Sequence, residues 1–407
     1  MNSLLSDAFV GYLTARITLG IANTMLTVAI GWHLYELTGD PWSLALVGLM
    51  QIIPVYAFFF ISGYTIDRFP RVWVVRVCAI LEASAVIGIA RILIKEDPDL
   101  FALYGLIFLH GIGRTFHGPA LHAILPNIVS PELLDRAIAM SSTTGNGASI
   151  VGPVIAGYLI LMIDREIYNV IALVSAATLI GYLFIPSIKI PREKDDRLAT
   201  LLAGIKYVRD KPVILGGLTI DLLMVGLGSV MVLLPVFAAD ILHVGSEELG
   251  LMRGMPAIGS VLMGLFLSSR RHEINGAGVK LWISLIVFAS SILVFSVSEI
   301  FVLSLLALFF YGASDMVSVN IRMGIVQAAT PENLRGRVAA VNMLFIQTSN
   351  EGGDVRGGAL AGLIGPTLTV LAGGIMSLGF LFWSRKYFPE LYTLDKISEL
   401  SLKTHKK

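Results

Sequence analysis

The stretch SPELLDRAIAM (Ser130–Met140) decides the fold, because TPENLRGRVAA (Thr330–Ala340) repeats it 200 residues further along the chain. Identical residues recur at this offset within and beyond the two stretches: Pro131 and Pro331, Glu132 and Glu332, Leu134 and Leu334, Ala139 and Ala339, Gly152 and Gly352, and Gly157 and Gly357. A repeat on this scale indicates that the chain consists of two structurally similar halves.

The composition places both halves in a lipid bilayer. Hydrophobic residues make up 55% of the 407 residues and charged residues only 14%, with a mean hydropathy of +0.78, whereas an ordinary soluble chain has about 25% charged residues. Apolar segments long enough to span a bilayer as a helix occur twelve times; the seventh covers Val213–Ala238 and the eleventh Val338–Leu363. We therefore predict an all-α membrane protein with twelve transmembrane helices in two pseudo-symmetric bundles of six.

A polar stretch, Pro186–Lys211, separates the sixth segment from the seventh. It has the composition of a connection in water rather than that of a helix in lipid. The predicted parts are an N-terminal six-helix bundle (1–186), a cytoplasmic linker (187–211), a C-terminal six-helix bundle (212–386) and a cytoplasmic tail (387–407).

Basic residues predict the orientation of the chain. One set of connections is rich in them: Arg68, Arg71, Arg136, Lys189, Arg192, Lys194, Arg197, Lys206, Arg209, Lys211, Arg270, Arg271, Lys280, Arg335, Arg337, Arg385, Lys386, Lys396, Lys403, Lys406 and Lys407. The opposite connections contain only Lys95 and Arg165. Because cytoplasmic loops carry an excess of Lys and Arg, we expect the linker and both termini to lie in the cytoplasm.

Polar residues within the predicted helices mark the candidate functional site, since a charge at mid-bilayer depth costs a few kcal/mol or more. Spacings of three and four residues place them on one face of each helix. The resulting stripes are Arg16, Asn23 and Thr27 on the first helix; His110, Arg114 and His117 on the fourth; Tyr311, Asp315, Ser318 and Arg322 on the tenth; and Gln347, Asn350, Glu351 and Asp354 on the eleventh. We expect these stripes to share one aqueous cavity. Arg356 falls off its stripe and has no assigned place.

The two halves supply opposite charges to that cavity. The candidates for substrate binding are mainly N-terminal: Arg16, Asn23, His33, His110, Arg114 and His117, with Tyr311 and Asn350 from the C-terminal half. The candidates for proton coupling are Asp221, Asp315, Glu351 and Asp354. Desolvation favours the protonated form of a carboxylate, and cations favour an acidic or catechol-bearing substrate. Fixed ion pairs between helices are the structural alternative for each of these residues.

Four stretches carry a family resemblance: AIGWHLYELTGDPWSLALVGLMQIIP (Ala29–Pro54), RTFHGPALHAILPNIVSPELL (Arg114–Leu134), GASDMVSVNIRMGIVQAATPENLRGRVAAVNMLFIQTSNEGG (Gly312–Gly353) and FPEL (Phe388–Leu391). They resemble the major facilitator superfamily, in particular the branch of bacterial drug:proton antiporters that includes the enterobactin exporter. The resemblance implies export of siderophores or amphipathic drugs across a bacterial cytoplasmic membrane by alternating access. This chain departs from the relatives at His33, where they usually carry Gln, and in DVRGG (Asp354–Gly358), where they tend to carry an acidic residue near Arg356. The resemblance therefore does not identify the substrate.

Two further motifs resemble gating elements of that superfamily. GYTIDRFPR (Gly63–Arg71) resembles its loop signature, with Pro70 and Val72 as departures, and ASIVGPVIAG (Ala148–Gly157) resembles its antiporter signature. The resemblance implies gating roles for Gly63, Asp67, Arg68, Arg71, Gly152, Pro153 and Gly157. From the residues alone, Asp67 is also expected to cap the start of the next helix. An ordinary charged turn and ordinary helix packing are the alternatives.

Several other functions remain open for the same fold. The protein could carry a metal ion or a lysolipid, expel several drugs, or take up its substrate by symport. A membrane-embedded enzyme would need a catalytic cluster near one membrane face, and a receptor would need large extramembrane domains; we find neither in the sequence. An enzymatic activity is therefore not expected.

The expected partners are a small-molecule substrate, protons and the lipid bilayer, and we expect a monomer. The net charge of +1 gives no reason to expect nucleic acid. We expect no cofactor and no metal site, although His33, His110, His117 and His122 could come within reach of one another.

Overall fold

Twelve long helices account for nearly all of the computed structural model, which describes residues 6–187, 197–269 and 275–400. They are α1 (Asp7–Thr38), α2 (Pro41–Arg68), α3 (Arg71–Leu93), α4 (Leu100–Ile128), α5 (Leu134–Ile163), α6 (Ile167–Leu183), α7 (Pro212–Gly228), α8 (Ser246–Ser269), α9 (Ala277–Val297), α10 (Phe301–Ala329), α11 (Arg335–Ile364) and α12 (Pro366–Tyr387). A linker helix, Arg197–Arg209, precedes α7. No strand occurs in these residues, so the predicted all-α class is confirmed.

Part of the orientation argument falls outside the described residues. The basic residues concerned are Lys189, Arg192, Lys194, Arg270, Arg271, Lys403, Lys406 and Lys407. The placement of both termini in the cytoplasm therefore stays a prediction.

Polar residues set two helices apart from the others. Within the described ranges, nine stretches are apolar and long enough to cross a membrane, and one of them, Pro131–Leu183, contains both α5 and α6. Helices α4 and α11 are not among the nine. Both carry one of the predicted polar stripes, which lowers their apolar content. The two helices that are not apolar enough to be counted as membrane spans, α4 and α11, are thus among those expected to line the transport cavity.

The sequence repeat corresponds to a structural repeat. Helices α4 and α10 have 29 residues each, and α5 and α11 have 30 residues each. A single 3₁₀ turn joins each pair: Pro131–Leu133 in the first half and Glu332–Leu334 in the second. The constant offset between the Ser-Pro-Glu and Thr-Pro-Glu stretches therefore reflects one helix–turn–helix unit built twice.

The helices form two compact units, each of which is described on its own. The first unit contains α1, residues 46–68 of α2, helices α3 to α6, and Val244–Gly254. Its core includes Phe9, Tyr12 and Tyr182, each fully buried among side chains of α1, α3, α4 and α6. The second unit contains Asp40–Ala45, the linker helix, α7, the rest of α8 and α9 to α12. The four-part division of the chain stays a prediction.

Helix α7 is shorter than the sequence predicted. The apolar segment Val213–Ala238 was expected to be one helix, but α7 ends at Gly228 and Ser229 has extended backbone angles (φ −62°, ψ 121°). The chain continues as a 3₁₀ turn, Met231–Leu233, and then as a π-helical turn, Phe237–Ile241. Pro235 lies in the first turn of the short helix Leu234–Val236 that lies between these two turns, a position where proline is tolerated because no intrahelical acceptor is needed. Hydrophobicity alone does not reveal such a break.

The first part of the predicted tail packs onto the second unit. We call Phe388–Asp395 the C-terminal strap. The N–H of Gly276 donates to Oδ1 of Asp395 (2.8 Å), and the N–H of Gly278 donates to the carbonyl of Leu394 (2.8 Å). These bonds satisfy donors at the start of α9, which has no preceding turn to pair them. Leu391 and Leu394 are buried, so the strap is anchored by apolar contacts as well.

Candidate functional site

A buried arginine pairs with two carboxylates in the second unit. Nη1 of Arg322 lies 2.5 Å from Oδ1 of Asp221, and its Nη2 lies 3.8 Å from Oδ1 of Asp315. The Asp221 and Arg322 side chains are 8% and 9% exposed, whereas the Asp315 side chain is 36% exposed. Nε of Arg322 also donates to Ser318 (3.0 Å). The structure thus brings two of the predicted proton-coupling residues together, and Asp315 is the more exposed of the two.

The surroundings of this charge cluster (Asp221, Asp315 and Arg322) are largely apolar. A small cavity adjoins it, and the lining includes Ile220, Met224 and Phe288. Tyr311 stacks on Phe288 with ring centroids 4.5 Å apart. Tyr311, predicted from the sequence to bind substrate, therefore contacts a side chain that lines the cavity at the charge cluster.

The break in α7 is held by α11. Ser229, the first residue after α7, donates its hydroxyl to Oδ1 of Asp354 (2.7 Å). Arg356 donates from Nε to the carbonyl of Gly226 (2.9 Å) and from Nη2 to that of Leu227 (2.5 Å). These carbonyls belong to the last turn of α7 and have no partner further along the helix. Arg356, which the sequence left without a place, thus caps the C-terminus of α7.

The other polar residues of the α11 stripe are less enclosed. Asn350 is exposed, and Gln347 and Glu351 are half-buried. The structure does not bring Asn350 into the charge cluster through any contact that we observe in the described residues. The predicted roles of Asn350 in substrate binding and of Glu351 in proton coupling stay predictions.

In the first unit, two arginines lie half-buried between helices. Nε of Arg16 on α1 donates to the carbonyl of Ser141 on α5 (2.8 Å). Arg114 on α4 donates to Oε1 of Gln51 on α2. Asn23 is also half-buried, two turns after Arg16. A guanidinium group has five N–H donors in a planar fork, a geometry that suits an anionic ligand.

A buried hydrogen-bonded chain crosses the same unit. Nδ1 of His117 lies 2.9 Å from Oε1 of Glu82 on α3, and its Nε2 lies 2.6 Å from the hydroxyl of Tyr182 on α6. All three residues are at most 1% exposed. The second oxygen of Glu82 is buried without a hydrogen-bond partner in the described part of the chain. His110 is buried as well. Two histidines predicted to bind substrate therefore lie inside the bundle.

Sequence reasoning did not assign Glu82 and Tyr182 to the site. Glu82 is separated from His117 by 35 residues and Tyr182 by 65, so no spacing rule for a single helix connects them. The available signal was the position of Glu82 near the middle of the third segment, away from the arginines near its two ends (Arg76 and Arg91). His33 has a comparable environment, with Tyr168 and Asp164 as its partners.

The loop between α2 and α3 differs from one expectation. Asp67 lies in the last turn of α2, and the residue before α3 is Pro70, which makes no side-chain cap. The N-cap position of α3 is thus occupied by Pro70 and not by Asp67, because α2 extends to Arg68. Arg68 packs over the ring of Tyr64, within its own helix. Arg71 donates to the carbonyl of Ala123 on α4 (2.6 Å), which joins the loop to that helix.

The glycines of the α5 motif allow close packing at their helix interfaces. A methyl group at Gly152 would lie 3.1 Å from Cβ of Thr24 on α1, and one at Gly157 would lie 2.9 Å from Cα of Glu247. Ser246 also donates to the carbonyl of Gly157 (3.1 Å). The predicted gating roles of Gly63, Gly152, Pro153 and Gly157 stay predictions, but the close contacts of Gly152 and Gly157 are present.

Comparison with known proteins supports a transporter. The profile of the Major Facilitator Superfamily matches residues 12–350. The chain belongs to this superfamily. It is 24% identical over 372 residues to the enterobactin exporter EntS of Citrobacter koseri, which covers 91% of this chain and 88% of that one. It is also 24% identical over 382 residues to the EntS protein of Escherichia coli O1:K1, with 92% and 90% coverage.

Solved structures of superfamily transporters have the same fold. A bacterial homologue of the iron transporter ferroportin in an inward-facing state gives a TM-score of 0.73 at 15% identity, covering 97% of this chain and all of that one (100%). A bacterial homologue of the human lysosomal transporter Spinster gives 0.72 at 14% identity, with 96% and 99% coverage. Likeness at this level concerns the fold alone. The protein is therefore a multi-pass membrane transporter, and its family and fold are not those of an enzyme.

Proposed function

We propose that this protein is a proton-coupled exporter of a small organic acid, of which a catechol-bearing siderophore is the leading candidate. The buried charge cluster of Asp221, Arg322 and Asp315 is the observation that carries the proposal. The similarity to enterobactin exporters over about nine-tenths of the chain supports the direction and the class of substrate. We place the protein in a bacterial cytoplasmic membrane, with both termini in the cytoplasm, where it works by alternating access.

The charge balance of the cluster supports proton coupling. Arg322 supplies one positive charge and the two carboxylates supply two negative charges, so the cluster has a net charge of −1 when both are ionised. An uncompensated charge is costly within a membrane protein, and one proton cancels it. Asp315 is the group that takes the proton, because its side chain is 36% exposed whereas Asp221 is 8% exposed and in close contact with Arg322.

Arg322 links the protonation of Asp315 to a structural change. When Asp315 is ionised, the guanidinium is attracted by both carboxylates. When Asp315 is protonated, its attraction for Arg322 within α10 weakens, and Arg322 interacts mainly with Asp221 on α7. The proton therefore changes how strongly α7 and α10 are held together, and such a two-state contact is what coupling requires.

The first unit supplies the positive charge for an acidic substrate. Arg16 and Arg114 are half-buried, and their contacts with α5 and α2 hold them in position between helices. Arginine is suited to carboxylates and to paired oxygen atoms, since its donors form a planar fork. A catechol has two adjacent oxygens of this kind. Arg16 and Arg114 are therefore the residues proposed to bind the substrate, and His110 and His117 support their helices from within the bundle.

Reconstituted protein tests the proposal. Proteoliposomes loaded at low internal pH and diluted into a buffer at higher pH should accumulate enterobactin, since outward proton flow then drives its entry. The change Asp315→Asn should abolish accumulation driven by the gradient, because an amide cannot take up and release the proton. Facilitated equilibration of enterobactin without a gradient should persist in this variant.

The control is Asp97→Asn, which removes an exposed carboxylate in the connection between α3 and α4 and should leave accumulation unchanged. Accumulation by the Asp315→Asn variant equal to that of the unaltered protein would overturn the coupling role of the cluster. Proton coupling would be overturned if a sodium gradient drove the accumulation of enterobactin, or if accumulation occurred without any ion gradient. Transport of several unrelated drugs but not of enterobactin would indicate a multidrug exporter instead.

A further inference from the structure

Three side chains of types that bind metal ions meet at the end of α1. They are His33 and Glu36 on α1 and Asp164 at the end of α5. One ligand atom from each lies within 4.8 Å of the others. Nε2 of His33 is 3.1 Å from Oδ1 of Asp164, a separation that suits two ligands of one ion. His33 is fully buried, whereas the side chain of Asp164 is 71% exposed, so an ion can reach the group from the surface.

The other nitrogen of His33 has the partner that metal-binding histidines require. Its Nδ1 lies 3.1 Å from the hydroxyl of Tyr168, which is itself fully buried on α6. When Nδ1 carries the proton and donates to Tyr168, the Nε2 lone pair points toward the two carboxylates. A hydrogen bond of this kind fixes the tautomer and the orientation of a ligand histidine. The ring of Tyr168 also packs against His33, with centroids 5.5 Å apart.

The position of Asp164 depends on an unusual backbone conformation. Asp164 has φ 47° and ψ −128°, and it is one of two non-glycine residues with positive φ in the described ranges. Such conformations are costly and occur preferentially where a site needs them. Here the conformation ends α5 and begins the turn that leads to Tyr168. The alternative is a hydrogen bond between His33 and Asp164 alone. It would explain the positions of these two residues, but not the position of Glu36 close to both.

We propose that His33, Glu36 and Asp164 bind a divalent transition-metal ion of the Zn²⁺ class. One imidazole and two carboxylates are ligands that Zn²⁺ accepts, and three protein ligands leave a fourth position for water. Two negative charges compensate those of the ion. The ion would cross-link α1 to the turn between α5 and α6 and so stabilise the first unit. This site is a structural one and does not depend on the proposed export function.

Nothing in the spacing of the sequence indicates this site, because Asp164 is 131 residues from His33. The expectation of no metal rested on histidines alone, whereas in the structure the partners of His33 are Tyr168 and Asp164, and those of His117 are Glu82 and Tyr182. The carboxylate that completes the site comes from a turn, where sequence patterns give little guidance.

Metal binding to purified, tag-free protein tests the proposal. Protein stripped with EDTA should bind one equivalent of Zn²⁺ in competition with a chromophoric chelator. Co²⁺ in its place should give the visible absorption of a four- or five-coordinate ion with nitrogen and oxygen ligands. His33→Gln and Asp164→Asn should each weaken binding at least tenfold, and Tyr168→Phe should weaken it about tenfold through loss of the supporting hydrogen bond.

The matched control is Glu166→Gln, which alters an exposed carboxylate of the same turn that pairs with Asn169 and should bind as the unaltered protein does. Zn²⁺ should raise the melting temperature of the unaltered protein and of the control, but not that of Asp164→Asn. Equal affinity in His33→Gln, Asp164→Asn and the control would overturn the proposal, as would the absence of a Co²⁺ band. If His33→Gln does not fold, Asp164→Asn decides the outcome.

Discussion

At the scale of single residues, interhelical contacts in this transporter depend on a few buried polar side chains whose partners are close and well defined. Arg322 joins α10 to Asp221 on α7, His117 joins α4 to α3 and α6, and Arg356 on α11 caps α7. Each contact removes a charge or a polar group from lipid by giving it a protein partner. Loss of one partner leaves the other buried and unpaired, which costs more than the contact itself contributes.

The change Arg322→Gln should destabilise the second unit strongly, because it leaves Asp221 charged and buried without a counter-ion. Breaking one half of a buried ion pair costs about 3–5 kcal/mol, so we expect a lower melting temperature in detergent. The double change Asp221→Asn with Arg322→Gln should recover much of the loss. The exposed Arg136→Gln serves as the control; a double variant no more stable than the single one would contradict the pairing.

The change Tyr182→Phe should lower stability by about 1–3 kcal/mol, the usual cost of a buried polar group that loses its partner, because it removes the hydroxyl that lies 2.6 Å from Nε2 of His117. Tyr158→Phe is the matched control, since Tyr158 is 47% exposed. Both are measured by thermal unfolding under the same conditions. Identical unfolding of the two variants would show that the hydroxyl contact adds no stability.

The sequence predicted which residues are polar within the membrane but not how they pair. Asp221, Asp315 and Arg322 were each noticed in apolar segments, and helical spacing placed Asp315 and Arg322 on one face of α10. Asp221 comes from another helix, so its contact with Arg322 required the tertiary structure. Arg356 had no place in a stripe because its partners are backbone carbonyls at a break in α7, and that break was not predicted either.

At the scale of helices, glycine determines where the backbones approach most closely. A methyl group at Gly250 of α8 would lie 2.5 Å from the carbonyl oxygen of Pro153 on α5, and one at Gly358 of α11 would lie 2.6 Å from the backbone nitrogen of Ala45 on α2. Small residues permit such packing between membrane helices. The sequence identified the glycine motifs and their helices, but the partner helix of each glycine followed only from the fold.

The change Gly250→Val should disrupt packing of α8 on α5, because the added methyl groups have no space beside Pro153. Overpacking of this kind typically costs about 1–3 kcal/mol. Gly147→Val on α5 is the control, since a methyl group at Gly147 would have no atom of a neighbouring element within 4 Å. Thermal unfolding and transport are both measured. Equal behaviour of the two variants would contradict the close contact.

The C-terminal strap is an element whose role the sequence did not reveal. It resembled relatives only in the short stretch FPEL, yet it caps α9 and buries Leu391 and Leu394. A chain ending at Tyr387 should therefore unfold at a lower temperature than one ending at Leu400, because the first N–H groups of α9 lose their acceptors. Melting of purified variants checks this; equal melting temperatures would show that the strap contributes nothing to the second unit.

At the scale of the whole molecule, the repeat of the Ser-Pro-Glu and Thr-Pro-Glu stretches and the high apolar content predicted the class of fold. Both signals extend over many residues. A local error, such as the prediction of one continuous seventh helix, therefore did not affect the prediction of the fold. The site was less predictable, because it depends on contacts between helices distant in sequence. The proposed division of labour is that arginines of the first unit bind an acidic substrate and carboxylates of the second carry the proton.

Substrate-driven proton movement tests that account most directly. Proteoliposomes containing a trapped pH indicator, with no initial pH difference, receive a gradient of enterobactin. Inward flow of the substrate should drive protons outward and raise the internal pH; the Asp315→Asn variant should show no pH change, and the Asp97→Asn control should match the unaltered protein. A pH change of the same size in Asp315→Asn, or substrate flow without any proton movement in the unaltered protein, would contradict the account.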